Sequence, residues 1–207
     1  MRTIAFVTQK GGSGKTTLAT NCAVSAQTAG RRAVIIDLDP QRSAEAWYQS
    51  RDAEDPRLVV VEAADLPKAL STAEAAGFDL AILDTAGRDH PGGAAAIRAA
   101  HLCVIPCRPT VADMKAQPPT VSTIQRLNKT AAFILSQTPP RGGRIHEARR
   151  GLEIMGLVCP TPIVSRADYQ DAYGLGLGVG EYDPNGKAAF EMRKLWKWID
   201  GKVEKVA

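Results

Sequence analysis

Gln9-Lys10-Gly11-Gly12-Ser13-Gly14-Lys15-Thr16-Thr17 decides the fold of this 207-residue chain. The segment stands between a short apolar run, residues 3–8 (TIAFVT), and an amphipathic stretch, 15–29, in which Leu18, Cys22 and Ala26 fall four apart. Strand, glycine-rich turn, Lys-Thr and helix thus follow one another in the order a phosphate-binding loop requires. Glycines at 11, 12 and 14 let backbone N–H groups curl around phosphate oxygens, and the start of the helix adds the positive end of its dipole. In such a loop Gly11, Gly12, Ser13 and Gly14 form the cradle and Lys15 reaches the β- and γ-phosphates. The Thr16 hydroxyl binds Mg²⁺, and Thr17 lies at the α-phosphate. The common spacing G-x-x-x-x-G-K-[ST] needs glycine where this chain has Gln9; the segment fits the variant K-G-G-x-G-K-T-T, opened by Lys10.

Working outward, residues 33–38 (AVIIDL), 58–62, 79–84 (DLAILD), 102–106 (LCVIP) and 130–136 read as further strands. Between them, 43–50, 66–76, 91–100, 111–127 and 143–151 read as helices, with Gly30 and Gly77 as stops and Pro118-Pro119 breaking the fourth. The strand runs are almost continuously apolar, which suits strands covered on both faces. The expected fold class is therefore α/β: a doubly wound, mostly parallel sheet of seven or eight strands flanked by helices, in one domain over residues 1–207. The glycine-rich run 174–180 (GLGLGVG) reads as a loop inside that domain.

Ligands of doubly wound sheets bind at the carboxyl ends of the strands. Asp37, Asp39 and Asp84 all stand at such ends. Taken alone, Asp39-Pro40 is a turn starter and Asp84 a turn former. With the phosphate loop upstream they become candidates for orienting water and holding Mg²⁺.

The segment QKGGSGKTT, the run Asp37-Leu38-Asp39-Pro40-Gln41, the strand ending Asp84-Thr85-Ala86-Gly87, and residues 103–110 followed by Asp113 together resemble the ParA/MinD superfamily of deviant Walker ATPases, with the P-loop NTPase fold. The resemblance is strong to about residue 113. The tail, with Arg166, Tyr169, Ala172, Glu181 and Ala188, looks like that of small ParF-type plasmid partition proteins. It implies ATP and Mg²⁺ as ligands, hydrolysis to ADP and phosphate, and a homodimer formed on ATP, in which Lys10 reaches the partner's nucleotide. By the same resemblance Asp39 orients the attacking water, while Asp37 and Asp84 support Mg²⁺ through water. Non-specific DNA, a centromere-bound ParB-like partner and a cytoplasmic, nucleoid-associated location follow from the resemblance too. Family members often carry Asn at the end of the next strand, where it reads adenine; here Ser136 and Gln137 stand there, so the base contacts are unassigned.

The formal net charge is +4, divided evenly: residues 1–140 carry 15 basic against 13 acidic groups and 141–207 carry 11 against 9. A basic surface must therefore be assembled by folding. Arg149 and Arg150 on the 143–151 helix and Lys194 and Lys197 on the last helix are the candidate DNA contacts, with Arg141, Arg144 and Arg166 as further basic groups. On that last helix Met192, Leu195, Trp196, Ile199 and Val203 form one apolar stripe opposite the lysines. A MinD-type membrane-associated positioning ATPase would need residues 195–206 to insert into lipid; the stripe reads rather as core packing, and stable membrane insertion is not expected. The chain shows no signal peptide and no apolar run long enough to span a bilayer. Cys22, Cys103, Cys107 and Cys159 lack zinc or redox spacing and read as buried thiols, which leaves a metal-cluster or metabolic enzyme on the same fold without its residues.

Overall fold

The computed structural model describes residues 1–87 and 90–205. Its strands are β1 (Arg2–Phe6), β2 (Ala33–Asp37), β3 (Arg57–Val60), β4 (Leu80–Asp84), β5 (Leu102–Cys107), β6 (Thr130–Leu135) and β7 (Leu157–Val158). They form one seven-stranded sheet in the order β3-β2-β4-β1-β5-β6-β7, and every pairing is parallel. Every residue of β2, β4 and β5 is buried, which is why their sequences are apolar throughout rather than alternating.

The intervening helices are α1 (Lys15–Thr28), α2 (Ser43–Gln49), α3 (Leu66–Ala75), α4 (Pro91–Ala99) and α5 (Val111–Lys115), followed by α6 (Pro118–Arg126), α7 (Arg144–Glu153), α8 (Asp168–Gly174), α9 (Val179–Tyr182) and α10 (Lys187–Val203). Pro118 and Pro119 separate α5 from α6, as their missing N–H groups demand. Successive strand residues point to opposite faces and build two cores. Ile4, Phe6, Ile35 and Ile82 pack with α1, Trp47 and α10 on one face. Ala5, Ile36, Leu83 and Phe133 pack with α3, α4, α6 and α7 on the other.

Of the glycine-rich run expected as a loop, only residues 175–178 are one, packed between the end of α8 and the start of α9. A Cβ on Gly176, which stands at φ 66°, would lie 2.4 Å from the Arg51 nitrogen, and one on Gly178 would lie 2.9 Å from Val24. Arg51 fastens this loop, donating to the Gly176 carbonyl at 2.9 Å and to both Glu181 carboxylate oxygens at 2.8 and 2.6 Å.

Helix α10 buries Met192, Leu195, Trp196, Ile199 and Val203, the stripe seen in the sequence. That stripe is core against α1 and β1, so a lipid-inserting face over 195–203 would have to be torn out of the domain. Val206, the far end of the segment considered for lipid, lies outside the described residues. No described helix is long and apolar enough to cross a membrane.

Trp196 is 4% exposed and Lys197 exposed. Urea unfolding of Trp196→Ala should show a loss of about 3–5 kcal/mol, whereas Lys197→Ala should stay within about 0.5 kcal/mol of the parent. A Trp196→Ala loss no larger than that of Lys197→Ala would contradict the core placement of α10.

Candidate functional site

Sheet register brings the acidic residues together before any loop is considered. Asp37 of β2 pairs directly with Asp84 of β4, and Asp84 with Phe6 of β1, so the phosphate-loop strand and both carboxylates end at one level. Both aspartates are fully buried. By strand alternation they share the face of Phe6, Ile35 and Ile82, over which α1 begins.

The loop between β1 and α1 turns through Gly12 at φ 71° and Gly14 at φ 92°, left-handed conformations that a side chain would strain. Gly14 occupies the N-cap of α1 and supplies no side-chain cap, and the first turn contains no acidic residue. A 14-residue helix therefore begins with backbone N–H groups that no side chain caps, at the positive end of its dipole. Such a terminus is an anion site. Lys15 adds a cation there and is itself buried. Burial pulls its ammonium below the usual value, while Asp84 and Asp39 pull it back up.

The Thr16 hydroxyl donates to Asp84 Oδ2 at 2.6 Å. Asp84 Oδ1 is buried and has no hydrogen-bond partner among the described residues. Burial raises this carboxyl to about 7, with the Thr16 hydrogen bond lowering it and neighbouring Asp37 raising it further. An unpartnered buried carboxylate oxygen beside a threonine hydroxyl suits a hard divalent cation, which takes one or two protein oxygens and leaves its other positions to water and phosphate. The described residues offer no group of three or more His, Cys, Asp or Glu that could cage a metal without a ligand's help.

Asp37 is differently employed. Its Oδ1 accepts from the Asp39 N–H at 2.9 Å and its Oδ2 from the Glu45 N–H at 3.2 Å, so both oxygens are already engaged in shaping the turn into α2. Burial pushes its carboxyl above the ordinary range and these backbone hydrogen bonds oppose the shift. Asp39 is less enclosed, accepts from the Gln41 N–H at 2.9 Å, and faces open space.

That space is a cleft of about 940 Å³, walled by the phosphate loop and Lys15-Thr16-Thr17, by Asp39 to Gln41, by Gly87 and His90, and by Tyr169 and Tyr173 of α8. Gly87 comes so close that a Cβ would lie 2.9 Å from Gly11 Cα and 3.1 Å from Lys15 Nζ. Lys10 does not line its own chain's cleft, although it sits in the same loop. His90 carries only a weak local signal in the sequence, its place before Pro91, where its Nδ1 accepts from the Gly92 N–H as N-cap of α4. Tyr173, whose hydroxyl donates to the Ser43 carbonyl at 2.7 Å, gave no local signal, because α8 reaches the cleft only through tertiary packing.

The basic candidates are not one patch. Arg149 and Arg150 ride on α7, over one face of the sheet, and Lys194 and Lys197 on α10, over the other. Arg149 is half-buried and donates to the Pro160 carbonyl at 2.9 Å; Arg150, Lys194 and Lys197 are exposed. Lys194 lies 4.3 Å from the centre of the Phe190 ring. Arg166 is occupied by Glu191 at 2.6 Å, which removes it from the basic surface. All four cysteines are buried, and burial raises each thiol above its ordinary value.

The chain is similar to known proteins along most of its length. The family model for the CobQ/CobB/MinD/ParA nucleotide binding domain matches residues 4–172. The maintenance of carboxysome distribution protein A of Halothiobacillus neapolitanus is 28% identical over 196 residues, covering 90% of each chain. Protein virC1 of Rhizobium radiobacter is 28% identical over 179 residues, covering 80% of this chain and 78% of that one. Among solved structures, the septum site-determining protein MinD of Pyrococcus horikoshii, complexed with Mg-ADP, superposes with a TM-score of 0.80 at 17% identity, covering 100% of this chain and 98% of that one.

Asp84 yields a test that needs no ligand. Burial raises its folded carboxyl from the ordinary 3.8 to about 7, so between those limits the folded protein holds a proton that the unfolded chain has lost. Its contribution to stability is complete at low pH, falls as pH rises across that window and is flat above it. Asp84→Asn should remove this part of the slope in unfolding free energy between about pH 4 and pH 7; an unchanged slope would contradict the buried, unpartnered carboxylate.

Proposed function

This chain belongs to the CobQ/CobB/MinD/ParA nucleotide-binding family, and on that premise we propose that it is a ParA-type partition ATPase. The observation that carries the reading is the uncapped start of α1, with Lys15 beside it and an unpartnered Asp84 oxygen below. Backbone N–H groups and Lys15 bind the phosphates of ATP. Thr16 would hold Mg²⁺, with Asp84 and Asp37 supporting it through water, and the ion would neutralise phosphate charge. The Mg-ADP complex of the superposable Pyrococcus horikoshii MinD supports this ligand set.

Asp39, on the open side of the cleft, orients the attacking water. Lys10 lies outside its own cleft and serves a second copy of the chain, where a cation beside the transferred phosphoryl stabilises developing charge. ATP drives dimerisation only through its higher affinity for the closed pair, so hydrolysis to ADP and phosphate releases it. Residues 1–207 act as one domain in the cytoplasm, on the nucleoid.

The ATP dimer binds DNA without reading sequence, through phosphate contacts alone. A centromere-bound ParB-like protein stimulates hydrolysis, and repeated binding and release moves plasmid or chromosomal DNA. The relative named for maintenance of carboxysome distribution favours a second cargo, a carboxysome distributed by the same cycle. The buried α10 stripe disfavours a membrane track.

Titrating DNA with no nucleotide, ADP or ATP across a salt series tests the DNA step. Tight binding should appear with ATP alone and fall steeply with salt. Each lost phosphate contact reduces the log–log salt slope by about 0.9, so Arg149→Ala with Arg150→Ala, or Lys194→Ala with Lys197→Ala, should flatten it by up to about 1.8. The pair that flattens it identifies which face of the sheet meets DNA; DNA binding indifferent to nucleotide would contradict the switch. Asp39→Ala should lower turnover about a hundredfold or more while ATP still binds, and normal turnover would remove Asp39 from the mechanism.

A further inference from the structure

The flank of the phosphate loop away from Asp84 is held by the residues that follow β6. Ser136 Oγ donates to the Ser13 carbonyl at 2.8 Å, and Gln137 Nε2 donates to the Gly12 carbonyl at 2.8 Å. Two consecutive carbonyls of the loop are thus pulled toward the sheet by two consecutive side chains. The anchors are rigid: the Ser136 N–H bonds the Cys107 carbonyl at 2.9 Å, and the Thr138 N–H bonds the Ile163 carbonyl at 2.9 Å. Between them Gln137 stands at φ 48°, a left-handed conformation uncommon outside glycine and kept only where the surroundings impose it.

A peptide unit carries its N–H and C=O on opposite sides. A loop can turn N–H groups toward an anion only if the carbonyls turn outward, and an outward carbonyl removed from water needs a donor. Ser13 is 1% exposed, so its carbonyl has little access to solvent. Without its donor the buried Ser13 carbonyl is free to swing toward the cleft and present its negative end to phosphate, and the carbonyl of exposed Gly12 loses the contact that fixes its direction.

We propose that Ser136 and Gln137 are positioning residues that preorganise the phosphate loop from behind, holding its carbonyls out so that its N–H groups face the ligand. This rests on the reading that the cleft binds a nucleoside triphosphate. It assigns the two residues to the phosphate chain rather than to the base, although both Ser136 and Gln137 also border a side cavity of about 180 Å³ that Gly14 and Thr17 line from the other side. The expected cost therefore falls on any ligand with the same phosphates, whatever base it carries.

The test compares Mg-ATP with Mg-tripolyphosphate, both measured by displacement of a fluorescent ATP analogue, on the parent protein, Ser136→Ala and Gln137→Glu. Each variant should bind both ligands about three- to tenfold more weakly, by the same factor, with KM raised and kcat retained. Ser136→Thr, which keeps the hydroxyl, should restore the parent affinity. Should Gln137→Glu fail to fold, Gln137→Met removes the same donor without a charge. Parent-like affinity in the variants overturns the proposal. So does weaker ATP binding with unchanged tripolyphosphate binding, which would make the pair a base contact. A parent protein that binds neither ligand defeats the nucleotide reading itself, and the latch with it.

Discussion

Two groups of opposite sign and unmet need face each other at the carboxyl edge of the sheet. Above are the uncapped N–H groups of α1 and the buried Lys15; below is Asp84, sealed from solvent with one oxygen unpartnered. Neither is comfortable alone, since burial disfavours both charges. They are tolerable because each side offsets the other in part, and because a ligand carrying both phosphate and a divalent cation satisfies both together. The rest of the fold serves this confrontation. Parallel strands bring Asp37 and Asp84 into direct register, the apolar strand faces exclude water, and backbone donors fix the direction of the Asp37 carboxylate.

The same arrangement explains why a lone chain is an incomplete machine in the proposed cycle. Lys15 is spent inside its own cleft, whereas Lys10, five residues earlier, stands clear of it. Gly11 and Gly12 are exposed, and Gly87 packs hard against Gly11, so the rim where Lys10 emerges is bare backbone on which another surface can close. Gln137 and Ser136 stiffen the opposite flank. A loop held on one flank and open on the other can register the arrival of phosphate and expose the consequence at its rim.

Much of this was legible in the sequence because parallel sheets write themselves plainly. Strands buried on both faces are apolar runs, glycines mark the loop, and aspartates at strand ends mark the site. The apolar stripe of α10 was readable because seventeen residues give nearly five turns of periodicity. What escaped had too little local signal. β7 is two residues long and α9 four. The engagement of Asp37 by two backbone donors depends on the path of the turn into α2, and the role of Ser136 and Gln137 on a contact 123 to 125 residues away in sequence. The basic residues were visible one by one, but their division between two faces of the sheet follows only from the order of the strands.

The most direct measurement is the mass of the protein in solution, by sedimentation, with no nucleotide, with Mg-ADP and with Mg-ATP, for the parent and for Lys10→Ala. The account predicts a parent that is monomeric alone and with ADP and dimeric with ATP, and a Lys10→Ala variant that binds ATP yet stays monomeric. A parent of unchanged mass in all three conditions, or a variant that dimerises on ATP as the parent does, would contradict it.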